Sequence, residues 1–154
     1  MNILLLAVGR ARRDAAAELF ADYSGRLPWP LTLKEVEDRR GGSDEERRRR
    51  EGELLLAALP DGAFAVALDQ GGKVLDSEAL AGRIGGWRDD GLRELAFIIG
   101  GADGLVPAVL ARADFTLSLG AMTWPHMLVR AMLCEQLFRA ASILSGHPYH
   151  RGRD

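Results

Sequence analysis

The chain has 154 residues, of which 47% are hydrophobic and 27% charged, and its formal net charge is −2. A domain of this size hides about two thirds of the surface its unfolded chain exposes, so residues 1–154 are expected to form one domain around one full core. The slight acidic excess excludes whole-protein attraction to nucleic acid or to anionic membrane, so a polyanionic partner has to be recognised by a local patch.

In chain order, Ile3 to Val8 is a nearly continuous apolar run that reads as a strand. It lacks the basic start and small-residue cleavage site of a signal peptide, and no later run reaches the roughly 18 residues of a membrane span. Asp14 to about Ser24 is expected to be a helix. Leu31 to Val36 is expected to be a strand, alternating in Leu31-Thr32-Leu33-Lys34 as an edge does. Asp38 to Asp44, two glycines among charges, reads as a mobile surface loop. A helix from Ser43 to Leu59 opens with a capping box, the Ser43 hydroxyl accepting from an orphan amide while Glu46 reaches back. Within it Arg47-Arg48-Arg49-Arg50 lies among acids, and the i,i+4 pairs Asp44/Arg48, Glu45/Arg49 and Glu46/Arg50 predict a self-neutralised helix face.

Ala63 to Leu68 and Glu94 to Ile99 are further apolar runs typical of strands covered on both faces, and Phe115 to Ser118 is a short one. Helices are expected over Ser77 to Trp87, Pro107 to Ala113 and Pro125 to about Ser145. In the last, Pro125 suits the first helical position, apolar residues recur at three and four, and Gly146 supplies a left-handed end. Cys134, the single cysteine, sits in this apolar pattern as a buried spacer, which fits a reducing cytoplasm. Alternating strands and helices predict an α/β fold, a mostly parallel sheet with helices on both faces.

In such sheets ligands bind beyond the carboxyl ends of the strands, which selects Leu68-Asp69, the loop Gly100-Gly101-Ala102-Asp103-Gly104, and the loop Leu119-Gly120-Ala121-Met122-Thr123-Trp124. The glycine loop matches neither GxGxxG nor a phosphate-binding GxxxxGK[ST] pattern, and on composition it is equally an ordinary strand-to-helix turn. Met122 and Trp124 are large apolar groups in a loop, where they either plug the core or line a pocket for a flat ring. All three histidines follow Thr123. At a helix start, His126 has its protonated form disfavoured by the helix dipole, and Arg130 one turn on faces the same way. His147-Pro148-Tyr149-His150-Arg151 is either a disordered tail or a stacking and hydrogen-bonding segment suited to a splayed-out RNA base. No cysteine and histidine spacing suits zinc, so no metal is expected, and no serine stands in a GxSxG turn.

Taken together, Ala7-Val8-Gly9, Phe97-Ile98-Ile99-Gly100-Gly101-x-x-Gly104-Leu105, Leu117-Ser118-Leu119, Thr123-x-Pro125-His126-x-Leu128-Val129-Arg130 and His147-Pro148-Tyr149-His150-Arg151 resemble the ribosomal RNA large subunit methyltransferase H family. These are small SPOUT-class enzymes that methylate N3 of a pseudouridine in 23S rRNA. The likeness covers essentially the whole chain. One departure is Ala102-Asp103, where the family's glycine loop usually reads Pro-Glu. The resemblance implies a C-terminal trefoil knot, a cytoplasmic homodimer, and S-adenosylmethionine bound by Leu68, Gly100, Leu119, Gly120, Ala121, Met122, Thr123 and Trp124. It also implies a target in the helix 69 loop, with His126, Arg130, Tyr149 and His150 handling the base and His147 and Arg151 meeting RNA. A tRNA-directed SPOUT activity, a non-catalytic ribosome-associated RNA-binding protein and a flavodoxin-like nucleotide-binding module are the competing expectations.

Overall fold

The computed structural model describes residues 1–151. Five strands, β1 (Asn2–Val8), β2 (Leu31–Val36), β3 (Phe64–Val74), β4 (Glu94–Ile99) and β5 (Phe115–Ser118), form one sheet in the order β2-β1-β4-β3-β5, and every pairing is parallel. The helices α1 (Ala15–Arg26), α2 (Asp44–Ala58), α3 (Ser77–Asp89), α4 (Pro107–Arg112) and α5 (His126–Ser145) connect and cover the strands, and a 3-10 turn spans Pro148–Arg151. The expected α/β class holds, and Leu31–Val36 lies at an edge of the sheet as expected. Among the described residues no helix is long and apolar enough to cross a membrane.

Two apolar layers explain why the central strands are apolar without alternation. Ile3, Leu5 and Ala7 of β1, with Leu95, Phe97 and Ile99 of β4, pack against Leu80, Ile84, Leu133 and Leu137 from α3 and α5. The alternate residues Leu6, Val8, Ala96 and Ile98 pack on the other face against Leu55, Leu105 and Val109. Cys134 is fully buried in α5, and burial pushes its thiol up to about 12, so it serves as packing.

Differences from expectation are local and have physical causes. Strand β3 continues past Leu68 to Val74, and its register on β5 shifts between Leu68 and Lys73. This bulge passes through Gly72, where a Cβ would come 2.7 Å from the Thr116 carbonyl, so only glycine fits. Pro125 is the residue before α5 rather than its first turn, whereas Gly146 ends the helix at φ 71° as expected. The Ser43 hydroxyl accepts from the Glu46 amide at 3.1 Å, while the Glu46 carboxylate accepts from that hydroxyl at 3.2 Å rather than from the Ser43 amide.

The arginine quartet is neutralised within its helix only in part and mostly by other pairs than the spacing predicts, Arg47 meeting Asp44 at 2.9 Å and Arg49 meeting Glu53 at 2.8 Å. Of the three expected pairs only Glu46/Arg50 is close, at 3.8 Å. Arg50 is buried and donates to Asp38 at 2.7 Å and to the Gly41 carbonyl at 2.8 Å. Hydrogen bonds from Arg40 and Arg50 hold the Asp38 carboxyl down at about 2. The 38–44 loop, expected to be mobile, is therefore tied to α2 through Arg50 as well as by its own Arg40–Asp38 pair.

Candidate functional site

A cleft of about 390 Å³ opens at the carboxyl ends of β4 and β5 and beside the bulge of β3, on the rim that strand polarity selects. Leu68, Gly100, Leu119, Gly120, Met122, Thr123 and Trp124 all line it, and His126 stands on its wall. Ala121, expected with them, is not among the lining residues. Met122 is 71% exposed and Trp124 40%, so these side chains do not plug the core but offer apolar surface at the cleft. Trp124 donates its indole N–H to the Leu119 carbonyl at 3.4 Å, closing the loop on itself.

The β3 bulge carries Asp69, already selected with Leu68, and adds Gln70, which strand patterning did not identify. Asp69 and Gln70 line the cleft, and Gln70 donates to the Met122 carbonyl and the Thr123 hydroxyl, both at 3.3 Å. The available signal was Gly71-Gly72 inside an otherwise strand-like run, which marks a bulge.

The glycine loop is shaped from within and held from outside. A Cβ on Gly100 would lie 2.9 Å from the Gly104 carbonyl carbon, so the backbone folds back closer than any side chain permits. From α2, Arg47 donates to Asp103 at 2.8 Å and Arg48 donates to the Leu105 carbonyl at 2.5 Å. Arg48 also lines the cleft, and its Nε is buried without a partner among the described residues. The departure to Ala102-Asp103 thus leaves a loop whose acid is gripped by a specific arginine. These contacts span 56 and 57 residues, and local spacing carried no sign of them.

His126 titrates below the ordinary histidine value, first because it is buried and second because of the Arg130 charge. The direction matches the dipole argument, but burial is the main cause. Arg130 itself is 2% exposed. Its guanidinium donates to Glu35 at 2.6 Å and to the Val8 and Gly9 carbonyls at 3.1 and 2.9 Å. It does not line the cleft. Burial alone would raise the Glu35 carboxyl, yet hydrogen bonds from Arg130 and the Ala11 amide bring it below its usual range. Gly9 is wedged beside this group at φ 92°, and a Cβ there would meet Met127 at 3.1 Å and His126 at 3.3 Å.

The 147–151 segment is ordered but lies away from the cleft of its own chain. Tyr149 donates to Glu135 at 3.0 Å and packs edge-on against Phe138, with ring centroids 4.6 Å apart. Burial, Tyr23 and Glu135 together raise its hydroxyl well above the usual range. His150 sits 3.4 Å from Glu78, the His147 ring accepts from the Tyr149 amide at 3.2 Å, and Arg151 is exposed. Glu135 is nine residues (126 to 135) beyond His126, roughly 13 Å along the helix axis. One chain therefore does not bring Tyr149 and His150 together with His126. Among the described residues no group of three or more His, Cys, Asp or Glu could hold a metal ion.

A family described as "Predicted SPOUT methyltransferase" matches residues 1–150. Relatives named ribosomal RNA large subunit methyltransferase H include that of Rhodospirillum centenum, 60% identical over 98% of this chain and 99% of the relative. That of Paramagnetospirillum magneticum is 54% identical over the same shares. Among solved structures, a probable methylase family protein from Haemophilus influenzae Rd KW20 matches with TM-score 0.60 at 11% identity, covering 96% of this chain and 69% of that one. A putative methyltransferase from Legionella pneumophila, solved with the cofactor SAM bound, matches with TM-score 0.50 at 14% identity, over 89% and 65%. At those identities the structural likeness speaks for the fold alone, whereas the matched family and the close relatives place this chain in the SPOUT methyltransferase family, among the ribosomal RNA large subunit methyltransferases H.

Proposed function

We propose that the chain methylates N3 of a pseudouridine in 23S rRNA of the large ribosomal subunit, in the helix 69 loop, with S-adenosylmethionine bound in the cleft. The observation that carries this reading is the convergence of Leu68, Gly100, Leu119, Gly120, Met122, Thr123 and Trp124 on one cleft with His126 on its wall. The cleft suits that cofactor: its glycine loop folds back so tightly that a Cβ on Gly100 would run into the Gly104 carbonyl, and Met122 and Trp124 offer apolar surface to a flat ring. Leu68, Gly100, Leu119, Gly120, Met122, Thr123 and Trp124 would hold it. Bound there, it supplies an already activated methyl group on a sulfonium, so the residues need to align the acceptor, exclude water and manage its proton.

Removing the N3 proton at neutral pH costs on the order of 3 kcal/mol, since an imide nitrogen titrates roughly two units above neutrality. His126, held neutral, is able to accept a proton at the edge of the cleft. The Arg130 guanidinium, already bonded to Glu35 and two carbonyls, acts as a fixed positive charge behind His126 and positions the end of β1. Tyr149 and His150 reach a cleft only if it belongs to another copy, so the working enzyme in this reading is a homodimer in which each cleft faces the partner's 147–151 segment. The trefoil knot belongs to the same proposal.

Methylation of purified 50S and 70S particles with labelled cofactor, followed by mass mapping of the modified nucleotide, tests the reading. N3-methylation of a 23S pseudouridine is expected. Transfer to tRNA instead would replace the substrate, and calorimetry showing no affinity for S-adenosylhomocysteine would overturn the enzymatic reading altogether.

A further inference from the structure

A second groove, of about 510 Å³, runs along the same rim of the sheet and is lined by Arg10, Arg12, Asp14, Glu37, His126 and Met127. His126 lines both this groove and the cofactor cleft, so the two meet at that imidazole. The loop between β1 and α1 supplies three arginines in four residues, Arg10, Arg12 and Arg13, all exposed. Its root is fixed: the Gly9 amide donates to the Val36 carbonyl at 2.8 Å, the Gly9 carbonyl accepts from Arg130, and the Ala11 amide donates to Glu35 at 2.5 Å.

The nearby acids are already occupied. Asp14 accepts from the Ala17 amide at 2.9 Å as the cap of α1, and Glu37 is shared between Arg39 at 3.2 Å and Arg10 at 3.8 Å. Other arginines near this rim are matched to carboxylates, Arg40 and Arg50 to Asp38 and Arg47 to Asp103. Arg12 and Arg13 have no ion pair among the described residues. In a chain of net charge −2 they form a local cationic surplus: Arg12 lines the groove and Arg13 adjoins it in the same exposed loop, where a strand would lie if one of its bases entered the cleft beside His126.

We propose that this groove carries the sugar-phosphate backbone of the RNA next to the target nucleotide, with Arg12 and Arg13 neutralising phosphates. The inference rests on the RNA methyltransferase reading above and adds the surface that orients the substrate. Phosphate contacts of this kind fix register without reading sequence.

The test is equilibrium binding of the full chain to purified 50S subunits across a salt titration, for wild type and for Arg12→Ala/Arg13→Ala. The double variant is expected to bind at least about tenfold more weakly, with the slope of log K against log salt reduced by roughly 1.5, while affinity for S-adenosylhomocysteine is unchanged. Arg12→Lys/Arg13→Lys is expected to restore the slope, and Arg93→Ala, at the opposite rim, to leave it alone. If the alanine pair does not fold, the single variants Arg12→Gln and Arg13→Gln carry the test, each expected to lower the slope by roughly 0.8. Wild-type affinity and slope in these variants, or an equal loss in Arg93→Ala, would overturn the proposal. Methylation of 50S subunits by a double variant with wild-type slope removes the groove and keeps the methyltransferase reading. Arginine-dependent binding by a wild-type protein that transfers no methyl group does the reverse.

Discussion

Arg130 and Glu35, 95 residues apart in sequence, meet at 2.6 Å beneath the carboxyl end of β1. The guanidinium is buried and its remaining donors reach the Val8 and Gly9 carbonyls, so a single side chain of α5 ties together β1 and β2. Glu35 in turn accepts from the Ala11 amide, extending the tie into the loop that bears Arg12 and Arg13. A structural clamp thus lies immediately behind His126, and the cleft wall depends on it.

Removing one partner of a buried ion pair leaves the other charge uncompensated, which costs about 3 to 5 kcal/mol. Because Glu35 is only partly buried, Arg130→Ala is expected toward the lower end, about 3 kcal/mol, measured as loss of stability in urea unfolding. Arg130→Lys keeps the charge but cannot span one carboxylate and two carbonyls, so it should recover only part of that loss. Unchanged stability in Arg130→Ala would show that the residue is not a clamp.

The lowered pKa of His126 has a definite sign in both activity and stability. A neutral imidazole persists to lower pH than in a free histidine, so the acid limb of the methylation rate should fall below pH 6.5, the unperturbed value. For stability, the unfolded chain binds a proton near 6.5 while the folded chain still resists it. Stability is therefore full above 6.5 and is lost as pH falls from 6.5 toward the folded value. His126→Gln should remove that portion of the pH dependence and most of the turnover while leaving cofactor affinity near wild type. An acid limb above pH 6.5 would contradict the burial of this group.

How much could be read from sequence depended on whether the cause was local. The apolar runs at Ile3 and Glu94 announced strands buried on both faces, and the left-handed Gly146 ended its helix on chemistry confined to a few residues. The cleft's position followed from strand polarity, which is equally local. Arg48 and Arg50 were misjudged because their partners, the Leu105 carbonyl and Asp38, lie outside their own helix in part-buried contacts that outweigh exposed i,i+4 pairs, while Arg47 is shared between Asp44 of its helix and Asp103 outside it. The reach of Tyr149 was illegible for a related reason: nothing in His147 to Arg151 says that the segment folds back onto Glu135 and Phe138.

Gly100→Ala isolates the cofactor cradle from the base-handling residues. The added Cβ would stand 2.9 Å from the Gly104 carbonyl carbon and 3.1 Å from Leu105, which is backbone and core rather than a flexible tip. Overpacking of this kind costs about 1 to 3 kcal/mol, and here the loop itself has to move. Calorimetry should show affinity for S-adenosylhomocysteine falling at least about tenfold, equivalent to 1.4 kcal/mol, with the far-ultraviolet spectrum unchanged. Wild-type affinity would mean that the loop is not the cradle.

Subunit complementation asks whether Tyr149 and His150 serve the cleft of their own chain or that of a partner. In one chain they pack beside Glu135 and Glu78, outside the lining of the cleft. His126→Ala spoils the cleft but keeps the segment, and Tyr149→Phe/His150→Ala does the opposite, so each homodimer is expected to be nearly inactive. When the two are mixed and allowed to exchange, half of the dimers are mixed pairs, and in each the intact cleft faces the intact segment of the other chain. About a quarter of all sites should then be complete by this two-fold geometry, and methylation of 50S subunits should recover toward that fraction. If the segment worked within its own chain, no site in the mixed dimer would hold both intact parts, and activity would stay at the level of the separate variants.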